Sequence, residues 1–204
     1  MLATRLGVPY LDTGAMYRAV GLAAKRRAVT LPIAAPDVVV AIANASDVRV
    51  TDEGETFLDG EDVSTEIRAP EISVYASAVS ALPGVRRRLA GMQRQMALEG
   101  GGVLEGRDIG TKVIPEAPFK FFLIARPEVR AERRCRELQA KGTPQAFEMV
   151  LREMVARDEA DSTRADSPLV CNESYVRVDT SDRDAGQVVD LLVSHVASGE
   201  PSQS

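Results

Sequence analysis

The chain has 204 residues, 45% of them hydrophobic, with a formal net charge of −5 and an isoelectric point near 5.1. That length suits one α/β domain with small insertions, and the acidic balance speaks against a general nucleic-acid or anionic-membrane binder. No apolar run reaches signal-peptide or membrane-span length, and Cys135 and Cys171 form neither a Cys-x-x-Cys pair nor a disulfide framework. The expectation is a cytoplasmic protein, a monomer, with no membrane or nucleic-acid partner and no metal held by side chains.

Taken in order, Met1 to Leu6 reads as the tail of a helix closed by Gly7. Val8 to Leu11 reads as a short strand, after which Asp12-Thr13-Gly14 caps a helix running from Ala15 to Arg27. Arg18, one turn inside that helix, can reach back toward an anion near the N-terminal amides, or it can stand as a solvated helix arginine. Asp37 to Asn44 predicts a mostly apolar helix. It leads into a β-hairpin of Val48–Val50 and Glu55–Leu58 across an Asp-Glu-Gly turn. Glu66 to Ser80 predicts a helix, Pro83-Gly84 breaks it, and Val85 to Leu98 predicts the next. This mixed insertion, residues 40–95, interrupts the strand–helix alternation and is of the kind that carries a substrate lobe. Ser77 and Arg86, flanking the break, are candidates to face a ligand, and each taken singly also reads as ordinary surface.

Val103-Leu104 enters a glycine turn that sets Arg107 beside Asp108, and Gly110 and Thr111 then release the backbone. A cation and an anion beyond the carboxyl end of a strand suit small-molecule recognition. The guanidinium can hold a phosphate through two bonds, and the carboxylate can accept from an amine such as the exocyclic N4 of cytosine. A stiffened turn is the other reading. Phe119 to Ala125 is an apolar run expected to form a strand buried on both faces of the central sheet. Tyr175 to Asp179 predicts another strand and Asp184 to Val196 a helix. His195, the only histidine, falls there as a surface or helix-end residue, and the tail from Gly199 to Ser204 is expected to be disordered. The alternation implies an α/β fold, a mostly parallel sheet with helices on both faces.

Two charged faces stand out. After Pro127 opens a helix, Arg126, Arg130 and Arg133 share one face with Arg134 beside it. Interleaved Glu128, Glu132 and Glu137 allow a merely solvated helix. The alternative is a mobile flap closing on phosphates, hinged at Lys141-Gly142-Thr143-Pro144. Further on, Phe147, Val150, Leu151, Met154 and Val155 form an apolar stripe whose next positions are Asp158 and Asp161, flanked by Arg157 and Arg164. Carboxylates pointed inward need partners, either in a polar cleft or in a structural ion network.

The chain resembles the bacterial cytidylate kinase family, within the nucleoside monophosphate kinase group of P-loop folds. The resemblance rests on Leu11-Asp12-Thr13-Gly14-Ala15-Met16-Tyr17-Arg18, on Asp59-Gly60-Glu61-Asp62-Val63 with Glu66-Ile67-Arg68, on Glu105 through Thr111, and on Arg157-Asp158 through Arg164 to Ser167-Pro168-Leu169. It covers essentially the whole chain, and several motifs in one order are more specific than any alone. The resemblance implies ATP-dependent phosphorylation of CMP and dCMP, with Mg²⁺ accompanying ATP. Arg18, Arg107 and Arg164 would hold the acceptor phosphate, Asp161 with Thr13 would bind near the sugar, and Ser77, Arg86 and Asp108 would read cytosine. Arg130, Arg133 and Arg134 would be lid arginines, with Arg157 and Asp158 counted beside them as catalytic. The core would comprise residues 1–39, 96–125 and 146–199, the CMP-binding insertion 40–95 and the lid 126–145.

Such enzymes carry a strand and a Gly-x-x-x-x-Gly-Lys-[Ser/Thr] loop that cradles the donor phosphates, and no segment of the 204 residues matches it. Lys141-Gly142-Thr143 has the wrong order. The motifs begin partway along the helix that would follow such a loop, so the expectation is a three-layer P-loop fold lacking its first strand and loop, short by about two dozen residues. Impaired catalysis is then expected of this chain. A CMP-binding relic, or a kinase for another acceptor such as UMP or shikimate, is the alternative.

Overall fold

A computed structural model describes residues 1–199, and the protein is α/β, with parallel strands and helices. It divides into two compact units, residues 3–115 in one and residues 116–199 together with Met1 and Leu2 in the other. The tail expected to be disordered lies, apart from Gly199, outside the described residues.

In the first unit a short helix α1 (Leu2–Leu6) ends at Gly7, and strand β1 (Tyr10–Asp12) follows. Asp12 then caps α2 (Thr13–Arg26), its carboxylate accepting from the Ala15 amide at 3.1 Å. Ala15, Met16, Ala19, Val20, Leu22, Ala23 and Ala24 of α2 are all buried, because this helix is apolar nearly all round and can only sit inside a core. Packed about it are α3 (Pro36–Ala45), the antiparallel strands β2 (Val48–Val50), β3 (Thr56–Leu58) and β4 (Glu61–Asp62), and the helices α4 (Pro70–Ser80) and α5 (Pro83–Gly100). Gly21 lets α4 approach closely: a Cβ there would stand 2.9 Å from the Ala76 amide nitrogen. Arg26, at the end of α2, reaches both Glu61 and Glu66, tying the small sheet and the turn after it to the core helix.

The helix expected from Glu66 to Ser80 is not continuous. Residues Glu66–Arg68 form a 3₁₀ turn and α4 starts afresh at Pro70. Proline has no N–H to continue the ladder and forces Ala69 into an extended conformation, so the chain turns where a periodicity reading runs straight through.

Strand β5 (Val103–Glu105) pairs parallel with β1 in the register Tyr10 with Val103, Leu11 with Leu104, Asp12 with Glu105. The backbone beyond it is not released at Gly110 and Thr111. Residues Ile109–Val113 make a π-helical turn, with the Ile114 amide bonded to the Ile109 carbonyl at 2.8 Å. Such wide turns cluster at functional sites.

The second unit contains β6 (Phe121–Ile124), α6 (Pro127–Ala140), α7 (Phe147–Thr163), β7 (Val176–Asp179) and α8 (Ala185–Ser198). β6 and β7 are parallel, and a capping box between Asp184 and Gln187 starts α8. β6 is not buried on both faces as expected: Leu123 is 52% exposed and its neighbours are half-buried. The reason is one-sided cover, since among the described residues β6 pairs with β7 alone. His195 near the end of α8 packs on Phe121, ring centroids 6.0 Å apart, without shielding Leu123. The α6–α7 contact is a small core of Ala131, Leu138 and Val150 with Phe147, Leu151 and Met154 against it. Val155, expected on the inward stripe, is instead exposed, so that stripe is one position narrower than the sequence suggests.

Candidate active site

The carboxyl ends of β1 and β5 set the frame in the first unit. Thr13, buried at the start of α2, donates its hydroxyl to the Glu105 carbonyl at 2.6 Å. Gly106 makes this possible, because a Cβ there would lie 2.6 Å from the Thr13 Oγ1 and 2.7 Å from the Ile109 side chain. Backbone and helix start are thereby locked at the place where the Arg107-Asp108 pair emerges.

The sequence sets Arg107 beside Asp108, but the partner of Asp108 is Arg86, from α5. The two side chains are 5% and 9% exposed and are joined through Arg86 Nη2 and Asp108 Oδ2. Arg107 itself is exposed. The Arg86 guanidinium also donates to the Ser80 carbonyl at 3.2 Å and lies over the Tyr17 ring, 5.5 Å from its centroid. Ser80 in turn donates to the Ser77 carbonyl at 2.8 Å, so Ser77, exposed on α4, is linked to Arg86 through one residue. Ser77, Arg86 and Asp108, separate in sequence, are therefore connected in space. A buried ion pair of this kind costs several kcal/mol of desolvation per ion, which close contact and added hydrogen bonds must offset. Arg86 is thus not the ordinary surface residue that it resembles when read singly.

Arg18 donates to Ser73 Oγ at 2.7 Å and more weakly to the Ile67 carbonyl at 3.4 Å. Position within the helix cannot foretell these partners, since they lie about fifty residues away, across the proline-broken turn. Tyr17, beneath Arg86, is a contact of this pair that the candidate set lacks, although an aromatic beside an arginine at a helix start is a signal that could have raised it.

In the second unit Asp161 is buried near the end of α7 and is held from two sides. Arg164 approaches it at 3.2 Å and Arg157 at 4.0 Å. Arg164 also donates from Nε to the Ser167 carbonyl at 2.6 Å, while the Leu169 amide donates to the Asp161 carbonyl at 2.8 Å. Asp158, one turn earlier, is half-buried and pairs with Arg130 of α6 at 2.6 Å. The expected inward carboxylates are thus present, each paired with arginine.

Arg133 and Arg134 of α6, and Arg126 at its N-cap, are engaged too. Arg133 donates to the Thr180 carbonyl at 2.6 Å, to Thr180 Oγ1 and to the Arg183 carbonyl at 3.1 Å. Arg126 pairs with Asp182 at 2.7 Å, and Arg134 with Glu137 at 3.0 Å. The Arg126 guanidinium holds the Asp182 carboxyl below its ordinary range, and bonds from Ser181 do the same for Asp179. The loop Thr180–Asp182 is therefore a second set of partners for the arginine helix, one that the apolar-stripe pattern had no means of showing. At the site in the first unit the one resolved perturbation is Tyr10, whose hydroxyl is pushed well above the usual tyrosine range by burial first and by its bond to Glu105 next.

The residues present can grip anions and read a polar base edge. Among the described residues no three acidic, imidazole or thiol side chains gather as a metal cage, and no helix is long and apolar enough to cross a membrane. The sequence model of the family described as Cytidylate kinase matches residues 1–198. Similar curated proteins include the cytidylate kinase of Pelotomaculum thermopropionicum, 44% identical over 98% of this chain and 89% of that protein. That of Caldanaerobacter subterraneus is 47% identical over 94% and 84%, and that of Mycobacterium avium 49% identical over 94% and 85%. With a family model that matches residues 1–198 and relatives 44–49% identical over nearly the whole chain, the chain belongs to the cytidylate kinase family.

Proposed function

We propose that this protein phosphorylates CMP and dCMP at the expense of ATP, giving CDP or dCDP and ADP. The observation that carries this reading is the buried Arg86–Asp108 pair, fixed over Tyr17 and linked to Ser77. A carboxylate keeps acceptor capacity after one guanidinium contact, so Asp108 can accept a hydrogen bond from cytosine N4 and would repel the O4 of uracil. Arg86 supplies donors for the acceptor edge of the same base, and Ser77 adds a hydroxyl. Within residues 3–115, Arg18 and Arg107 take the role of acceptor-phosphate ligands and Thr13 that of a sugar-side residue; within residues 116–199 the same two roles fall to Arg164 and Asp161.

The reaction is in-line attack by a phosphate oxygen of CMP on the γ-phosphoryl of ATP. The acceptor is already an anion, which agrees with a chain whose only histidine packs on Phe121. Arg130, Arg133 and Arg134 neutralise charge on the transferring group, with Arg157 and Asp158 supporting them, and residues 126–145 take the part of the lid segment. Mg²⁺ accompanying ATP would supply charge neutralisation at the donor phosphates. The parallel pairs β1/β5 and β6/β7, with α2 directly after β1 and α8 after β7, support the three-layer P-loop architecture that this chemistry uses.

The 204 residues contain no Gly-x-x-x-x-Gly-Lys-[Ser/Thr] segment to cradle the donor. On their own they are therefore expected to bind CMP and to transfer phosphate feebly. Calorimetric titration with CMP, dCMP and UMP tests recognition, and ADP release with CMP and ATP tests transfer. Equal affinity for CMP and UMP would remove the base-reading role of Asp108, and full turnover would remove the need for such a loop.

A further inference from the structure

Glu105 ends β5 at the head of the Gly106-Arg107-Asp108 loop, and its side chain has no place in the functions described so far. Its carbonyl accepts from Thr13, while its carboxylate accepts from the Tyr10 hydroxyl at 2.6 Å. Parallel pairing makes this contact natural. Tyr10 lies opposite Val103 and Asp12 opposite Glu105, so Tyr10 and Glu105 sit two residues apart along adjoining strands, on the same face of the pleat. The bond joins the ends of the two strands from which α2 and the loop leave.

A carboxylate two residues before Arg107 is a hazard for a phosphate site. A long, exposed glutamate can swing to a neighbouring guanidinium and form a charge-assisted pair that competes with an incoming phosphate. Asp108 is kept from doing this by Arg86, deep in the unit. Glu105 has no comparable burial and is restrained instead by a neutral donor. A tyrosine hydroxyl suits this task better than a cation would, because it orients the carboxylate without adding a second positive centre that would itself attract phosphate.

We infer that Tyr10 is a positioning residue for acceptor binding: its hydroxyl ties Glu105 back along β1, so that the glutamate does not compete with the nucleotide phosphate for Arg107. The burial that pushes the Tyr10 hydroxyl upward keeps it a donor throughout the neutral range. The inference rests on the proposed role of Arg107 toward the acceptor phosphate, and the experiment separates the two.

Binding of CMP and of cytidine, which lacks the phosphate, is measured by calorimetry on the full chain, on Tyr10→Phe, on Glu105→Gln and on the double variant, each checked for helical content. Wild type binding CMP no better than cytidine would remove the phosphate role of the arginines, and this inference with it. With that preference present, Tyr10→Phe weakens CMP about tenfold, the loss of one charge-competing contact, and leaves cytidine unchanged. Glu105→Gln, which cannot capture an arginine, restores CMP affinity in the Tyr10→Phe background. Unaltered CMP affinity in Tyr10→Phe overturns the inference while leaving Arg107 in place. So does a loss shared equally by CMP and cytidine, or one that Glu105→Gln does not repair, either of which would show that the hydroxyl only braces the strands.

Discussion

Arg86 and the arginines along α6 are used in opposite ways. In residues 3–115 the decisive guanidinium, Arg86, is sealed in beside Asp108 beneath a large core, with an aromatic ring under it and a carbonyl at its edge. In residues 116–199 the guanidinium groups of Arg126, Arg130 and Arg134 lie in partial contact with solvent, each against a carboxylate, and the core between α6 and α7 has three buried apolar side chains. The contrast matches two physical tasks. Telling cytosine from uracil requires a desolvated pair that cannot rearrange, because the discrimination comes from refusing the wrong polarity. Gathering phosphate charge requires arginines that can exchange one anion for another, and half-exposed pairs worth little to stability permit that exchange.

The largest break in this contrast is Asp108→Ala. It leaves Arg86 buried without its anion, so stability falls by about 3–5 kcal/mol in denaturant unfolding and measurable CMP binding disappears. Stability within 1 kcal/mol of wild type would mean that the pair is not buried in solution. Next in size is Arg164→Ala, which takes from Asp161 its closer cation in the second unit. Loss of a charge-assisted contact costs about 1.5–3 kcal/mol, read as a rise of roughly tenfold to a hundredfold in the dissociation constant of CMP. An unaltered constant would detach Arg164 from the acceptor phosphate.

A smaller effect is expected where exchange is the point. Asp158→Asn breaks the pair with Arg130, but these side chains are 36% and 30% exposed, so solvent screening keeps the stability change at or below about 1 kcal/mol. A loss of several kcal/mol would place this pair with Arg86–Asp108 and blur the distinction between the units. The smallest effect is a pH dependence. The folded-state pKa of Tyr10 is raised above its unfolded value of 10.0, so the stability it contributes is complete below that pH and fades as the pH climbs past it. Tyr10→Phe should flatten the alkaline limb of the stability profile above roughly pH 10. The acid limb should still respond to Asp179 and Asp182, whose lowered pKa values contribute stability present above the ordinary carboxylate range and lost as pH falls through the shifted ones.

Much of the fold was legible because local rules and burial agreed. Asp12 as helix cap, the hairpin on either side of Asp52–Gly54, and the helix opened by Pro127 each follow from one residue type placed where its chemistry belongs, whereas Pro83, read as a break before a helix from Val85, is itself the first residue of α5. The misses were of another sort. Pro70 lay within an apolar pattern strong enough to hide it, Leu123 looked like core because a run of strand formers says nothing about how many neighbours a strand has, and Val155 prolonged a stripe that the facing helix does not reach. At the site, residue types pointed to the right candidates but not to their partners. Asp108 goes to Arg86 and not to adjacent Arg107, Arg18 to Ser73, and Arg133 to Thr180, all through contacts separated by more than twenty residues. Spacing reports neighbours along one element, and these pairings belong to the tertiary fold.

With Asp108 in the base-reading role proposed for it, the π-helical turn at Ile109–Val113 would make the chain's length, apart from its composition, part of nucleobase selectivity. Its hydrogen bonds start at the Asp108 carbonyl, and the turn holds one residue more than an α-helical one would. Shortening it by a single residue would rewind the segment and re-aim Asp108 without touching any group that meets the base. Deletions there, which a surface loop would tolerate, should therefore be as harmful as substitution of the aspartate itself.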